Sequence, residues 1–164
     1  MATPLQDAEE IEICSRGHRW ITSWHSTAEA PDWEMYGSAG ICVTSGGEVV
    51  VVSTDENSWD FPAGRPEGDE DWEQTLRREM LEEACAVVTA SRLLGFARGR
   101  HIEGDVVGLP IVRSVWLAQV DLLEWNPQFE IRFRRLVPAA QAIEAVLPEY
   151  EQLWARVFHE AGLS

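Results

Sequence analysis

Apolar and polar residues follow two different rhythms along this chain, one of strands and one of helices. Ile41–Thr44 and Glu48–Ser53 are runs rich in β-branched residues, divided by Ser45-Gly46-Gly47, the pattern of a β-hairpin. Upstream, Arg19–His25 reads as a strand that puts Trp20 and Trp24 on one face. Residues 1–18 form a short acidic lead-in, with a helix expected over Ala8–Cys14, and Thr27–Tyr36, with Pro31 and Asp32, reads as a loop. A polar turn at Asp55–Ser58 leads into Trp59–Pro62, a short strand stopped by its proline.

Residues 63–70 form a loop, and the rhythm then changes to that of a helix. Asp71 stands as N-cap with Gln74 three residues later, a capping-box arrangement, and the helix runs to about Ala84. Val87–Phe96 and Val106–Val120 are apolar enough for strands, joined by the charged loop Ala97–Asp105, and Glu130–Leu136 is a further strand. Pro138 opens a helix that Pro148 interrupts, and Glu149–Glu160 is a final helix ending before Gly162. Strands and helices interleave without strict β-α alternation. The expected fold class is α/β (α+β), a mixed β-sheet flanked by helices.

Composition narrows the possible partners. The chain has 164 residues, enough for one domain with a real core, and its 13 basic against 28 acidic residues leave a net charge of −15. Such a chain repels polyphosphate backbones and anionic membranes, so neither nucleic acid nor a membrane is an expected partner. An acidic protein that handles phosphates needs a divalent cation or a local basic patch as a bridge. Cys14, Cys42 and Cys85 form neither a disulfide framework nor a zinc site. The first residues lack the basic start and apolar run of a signal peptide, and no stretch has membrane-spanning length. A cytoplasmic setting is the expectation.

The chemistry concentrates between Gly64 and Ala86. Five residues separate Gly64 from Glu70, and seven more separate Glu70 from Arg78-Glu79-Met80-Leu81-Glu82-Glu83. On a helix, Glu79, Glu82 and Glu83 fall within one arc of roughly 100°. Leu76, Met80, Leu81 and Ala84 occupy the adjoining arc, which can lie on the sheet. Three carboxylates so placed repel one another by a few tenths of a kcal/mol per pair. Hard divalent cations relieve that repulsion through oxygen ligands; a solvated acidic face is the bland alternative. Gly64 permits backbone conformations that turn a carbonyl toward such an ion.

This spacing resembles the Nudix box, and Phe61-Pro62-Ala63-Gly64 resembles the usual approach to it. The resemblance implies a Nudix-like α/β/α sandwich, read as one domain over 1–164, and metal-dependent hydrolysis of a pyrophosphate bond in a nucleoside diphosphate linked to another moiety. It implies Mg²⁺ or Mn²⁺ as cofactor, held by the Gly64 carbonyl, Glu82, Glu83 and Glu79, and a nucleotide-like small molecule as substrate. Glu79 either binds metal or positions the attacking water; with Glu83 and Arg78 it makes up the catalytic set, and Arg78 and Glu70 are bracing residues. A homodimer accords with family habit. The alternative is a Nudix-fold module that binds or senses a nucleotide without turnover.

One position departs from the box. Cys85 stands where a glycine usually ends the helix in a left-handed turn, which cysteine strains by about 1 kcal/mol. Outside the box, Glu130 is a candidate further ligand or base. Arg98, Arg100 and His101 are candidates for holding substrate phosphates, and Trp125, Phe129 and Phe133 for base stacking. Each has a bland reading beside it: a surface strand residue, a solvated loop tip, core aromatics.

Overall fold

The computed structural model describes residues 2–26 and 34–163. Its strands are β1 (Ile11–Ser15), β2 (His18–His25), β3 (Glu34–Val43), β4 (Glu48–Ser53), β5 (Ala63–Gly64), β6 (Ala86–Glu103), β7 (Val106–Val107), β8 (Ile111–Leu122) and β9 (Phe133–Pro138). The helices are α1 (Trp72–Ala84), α2 (Ala142–Ala145) and α3 (Glu151–Ala161). All strands join one mixed sheet in the order β1-β2-β6-β8-β3-β4-β9, with β5 on β3 and β7 on β6. The pairing of β3 with β8 is parallel and the others are antiparallel.

The sheet is covered on both faces, and β4 shows how. Val49 and Val51 enter a cluster with Leu153, Trp154, Val157 and Phe158 of α3, whereas Val50 and Val52 meet Leu76, Met80 and Ala84 of α1. A strand buried on both sides reads as a continuous apolar run, because alternate residues all face protein. Each fully buried aliphatic side chain of this kind contributes about 1.5–3 kcal/mol. The expected mixed sheet between helices is therefore the observed architecture.

Several boundaries differ from expectation. The expected helix over Ala8–Cys14 is instead strand β1, paired from Ile11 opposite Thr22 to Ser15 opposite His18. Its residues alternate inward and outward, and Arg16 and Gly17, with φ of 51° and 80°, close the hairpin. The expected loop Ala97–Asp105 is mostly strand: β6 runs unbroken to Glu103 and pairs with β2 from Phe96 to Ile102. Charged side chains at 98, 100 and 101 disguise a strand lying between two neighbours. Trp59–Pro62 reduces to a single bridge, Asp60 with Val52. The last strand begins at Phe133, and the last helix at Glu151 after a 3₁₀ turn at Pro148–Tyr150. Pro138 ends β9; a 3₁₀ turn and the short α2 follow. The expected loop at 27–36 lies outside the described residues as far as Trp33, while Glu34–Tyr36 already belong to β3.

Candidate active site

Helix α1 is built where the sequence marks it. The Asp71 carboxylate accepts from the Gln74 backbone N–H at 2.8 Å, and the Asp71 N–H donates to the Gln74 side chain at 2.9 Å. These bonds satisfy donors that a helix start leaves free. Burying Leu76, Met80 and Ala84 on the sheet turns Arg78, Glu79, Glu82 and Glu83 toward the Ala63–Arg65 segment.

Arg78 is the centre of this cluster. Its guanidinium grips Glu70 in a fork, Nε to Oε2 at 2.8 Å and Nη2 to Oε1 at 3.0 Å. Nη1 donates to Glu79 at 2.7 Å and to Glu82 at 3.0 Å, and Nη2 also reaches the Arg65 carbonyl at 2.7 Å. A planar fork with several donors suits this task, and a lysine could not repeat it. The bonds to Arg78 hold the Glu70 carboxyl down at about 2. Glu79, by contrast, is pushed upward by burial, which outweighs its bond to Arg78.

Glu83 accepts the Ala63 backbone N–H at 2.9 Å. Burial pushes its carboxyl up to about 7 against that bond, and the negative charges of Glu79 and Glu130 push the same way. Two glycines leave room for this arrangement. A Cβ on Gly64 would stand 1.9 Å from the Glu79 carboxyl carbon, and one on Gly37 would stand 2.2 Å from the Gly64 carbonyl oxygen. The Gly64 carbonyl is thus kept clear on the side where any other residue at 37 would fill the space.

Among the described residues, no three Asp, Glu, His or Cys side chains converge as a formed metal cage. Glu79 and Glu82 turn to Arg78, and Glu83 turns to Ala63. The donor set nevertheless suits a hard cation. It consists of carboxylate oxygens and a clear backbone carbonyl, and burial raises two of the carboxyls, a penalty that a cation would offset.

The other expected residues are placed as follows. Glu130 lies in a bend ahead of β9, close enough for its charge to act on Glu83. Phe133 starts β9 opposite Ser53 and is half-buried. Phe129 is exposed at the rim of a shallow groove with Leu81 and Leu123, and Trp125 lies under Arg134. Arg98, Arg100 and His101 are on β6: Arg98 is 3.8 Å from Glu10, Arg100 donates to the Gly108 carbonyl, and His101 meets His18 and packs at a tilt against Trp20. Of the three, only Arg98 borders a cavity on the α3 face of the sheet.

That cavity, of about 360 Å³, opens on the α3 face and is lined by Trp20, Tyr36, Asp60, Arg113, Tyr150 and Trp154 among others. Burial raises the Asp60 carboxyl, opposed by the Phe61 N–H and by Arg113. Among the described residues, the buried Arg113 Nε and Trp154 Nε1 meet no hydrogen-bond acceptor. Arg113 acts electrostatically on both Asp60 and Glu83, and Tyr36, bonded to Arg65 at 2.6 Å, stands between. Cavity and glutamate helix are therefore electrostatic neighbours. Of Asp60, Arg113 and Trp154, only Asp60 carries a sequence signal, as a lone acidic residue inside the apolar Trp59–Pro62 segment.

This chain belongs to the Nudix family: the family's NUDIX domain model matches residues 35–160. Among solved structures, the pyrophosphohydrolase RppH of Bacillus subtilis is similar at 17% identity and TM-score 0.65, covering 94% of this chain and 96% of that one. A MutT protein from Methanosarcina mazei matches at 16% identity and TM-score 0.59, over 80% and 99% of the two chains. The Nudix domain of NrtR from Shewanella oneidensis, solved with ADP-ribose, matches at 16% identity and TM-score 0.58, over 81% and 88%. These likenesses establish the fold. No curated protein matches the sequence. Among the described residues, no helix is long and apolar enough to cross a membrane.

Proposed function

We propose that the chain, acting as one domain, hydrolyses a pyrophosphate bond in a nucleoside diphosphate linked to another moiety, with Mg²⁺ or Mn²⁺ as cofactor. The observation that carries this reading is the Arg78-centred cluster. One guanidinium organises Glu70, Glu79 and Glu82 beside a cleared Gly64 carbonyl and a Glu83 whose carboxyl sits near neutrality. The Gly64 carbonyl, Glu79, Glu82 and Glu83 would hold the cation, which when bound neutralises phosphate charge and lowers the pKa of water.

The protein's own groups divide the remaining work. Arg78 holds Glu79 and Glu82 side by side on the helix face, from which they would turn to the cation. Glu83 is held by the Ala63 N–H and burial raises its carboxyl to about 7, so a nearby cation would favour its ionised form. The cavity walled by Asp60, Arg113 and Trp154 would take the part of the substrate beyond the diphosphate, since among the described residues Arg113 Nε and Trp154 Nε1 meet no acceptor.

The test is a panel of nucleoside triphosphates and substituted nucleoside diphosphates, incubated with Mg²⁺ or with excess chelator and read by product mass. Cation-dependent cleavage at a diphosphate linkage is expected, rising from neutral toward alkaline pH. Tight binding across the panel with no product would overturn the reading in favour of a nucleotide-sensing module.

A further inference from the structure

The C-terminal end of α1 has an unusual closure. A helix end leaves its last carbonyls unpaired and carries partial negative charge, which cations offset. The last turn of α1 contains no basic residue, and its cap is Cys85 in the left-handed conformation, with φ 50° and ψ 47°. The cation comes instead from the far edge of the sheet. Nη1 of Arg134 lies 2.9 Å from the Ala84 carbonyl oxygen and 3.3 Å from that of Cys85. The same nitrogen lies 3.2 Å from the Leu123 carbonyl, and the guanidinium stands over the Trp125 ring at 5.1 Å.

We infer that Arg134 is a positioning residue for the glutamate helix: it clamps the end of α1 and ties it to the irregular segment from Leu123 to Arg132, which carries Glu130. This rests on the proposed metal-dependent reading of α1. Arg134 has a rigid base, since β9 pairs with β4 and sets Arg134 opposite Val52. It ends on the last carbonyls of α1 and on Leu123, where the irregular segment begins. Glu83 directly precedes the clamped Ala84, and the direction of the helix end governs how Glu83 meets the Ala63 N–H. Two more ties join the segment to the same region: the Cys85 thiol lies 3.7 Å from the Asn126 carbonyl, and the Leu123 N–H donates to the Cys85 carbonyl at 2.8 Å. One guanidinium nitrogen addresses three carbonyls while the planar group lies over the Trp125 ring; an ammonium could meet carbonyls as a compact point charge but has no plane to lay on the ring.

The experiment compares the wild type with Arg134→Met and Arg134→Lys in the full chain, at a temperature where thermal melts show each to be folded. Mn²⁺ alone is the probe, titrated and followed by its paramagnetic resonance, and amide hydrogen exchange is followed over residues 123–132. Arg134→Met is expected to weaken Mn²⁺ binding about tenfold or more, the scale of a lost outer partner of a metal site, and to speed exchange of those amides. Arg134→Lys keeps a charged nitrogen donor without the planar group over Trp125, so it should recover part of the Mn²⁺ affinity and little of the exchange protection. Should Arg134→Met not fold, Arg134→Lys alone decides: Mn²⁺ affinity and exchange both equal to wild type overturn the proposal. A lowered melting temperature with both quantities unchanged also overturns it, by leaving Arg134 a merely structural residue. A wild type that binds no Mn²⁺ refutes the metal reading itself; the clamp then stands or falls on the exchange data.

Discussion

Glu83→Gln offers the sharpest separation of the two forces acting on the glutamate helix. The substitution keeps an oxygen to accept the Ala63 N–H and removes only the charge. If helix-surface repulsion dominated, the metal-free protein would gain a few tenths of a kcal/mol. The structure makes burial the larger force: a carboxyl displaced from 4.5 to about 7 corresponds to about 3 kcal/mol of penalty on the ionised form. The sign follows from linkage. The folded-state pKa is raised, so Glu83 contributes its full stability below about 4.5 and loses it as pH climbs through about 7. In excess chelator, Glu83→Gln should therefore match wild type near pH 4.5 and exceed it near pH 8 by up to about 3 kcal/mol, or roughly 6–12 °C for a chain of this length. Added Mn²⁺ should stabilise the wild type and do much less for the variant, because a ligand that binds only the folded state adds stability by mass action. Thermal melts at the two pH values, with and without Mn²⁺, are sufficient. An unchanged difference between pH 4.5 and 8 would show that burial does not govern this carboxyl, and equal Mn²⁺ stabilisation of both proteins would remove Glu83 from the ligand set.

Two further expectations follow from the same cluster. Gly64→Ala should keep the fold but abolish most Mn²⁺ stabilisation and cut turnover at least about a hundredfold, since its Cβ displaces the Glu79 carboxylate; turnover and metal shift both at wild-type level would contradict the crowding. Arg78→Met should destabilise the protein at neutral pH by about 2 kcal/mol and move acid unfolding to higher pH. Glu70, held near 2, supplies stability above its ordinary range that disappears as pH falls toward 2, and without Arg78 that reserve is gone; an unshifted acid transition would refute it.

The elements that were legible in the sequence are those whose local signals agree with their tertiary setting. Helix α1 combined a cap, a capping partner and apolar residues four apart, so its limits were readable to within a residue. The β3–β4 hairpin carried its Gly-Gly turn. Strand β1 was obscured because its pairing depends on β2, and because Arg16-Gly17 closes a hairpin without the usual Asn or Asp. The far half of β6 was obscured because charge at Arg98, Arg100 and His101 imitates a solvated loop. At the candidate site, the spacing on one helix located the glutamates, whereas Asp60, Arg113 and Arg134 come from three distant segments. No local pattern could join them. Cys85 adopts the left-handed cap that its place in the box predicts, while its closure by a residue 49 positions away leaves no local signal.

The sulfur pair beneath α1 has a practical consequence. Cys42 lies fully buried, with its thiol 3.1 Å from the Met80 sulfur and burial pushing it up to about 12. A thiol so placed reacts with nothing until the helix above it lifts. Cys14 is exposed and Cys85 is shielded only at the helix end, so the three cysteines stand at three depths of one molecule. Alkylation followed cysteine by cysteine would therefore time, in sequence, surface encounter, fraying of the helix end and departure of the whole helix from the sheet. The chain carries its own stopwatch for the motion of the element that bears its glutamates.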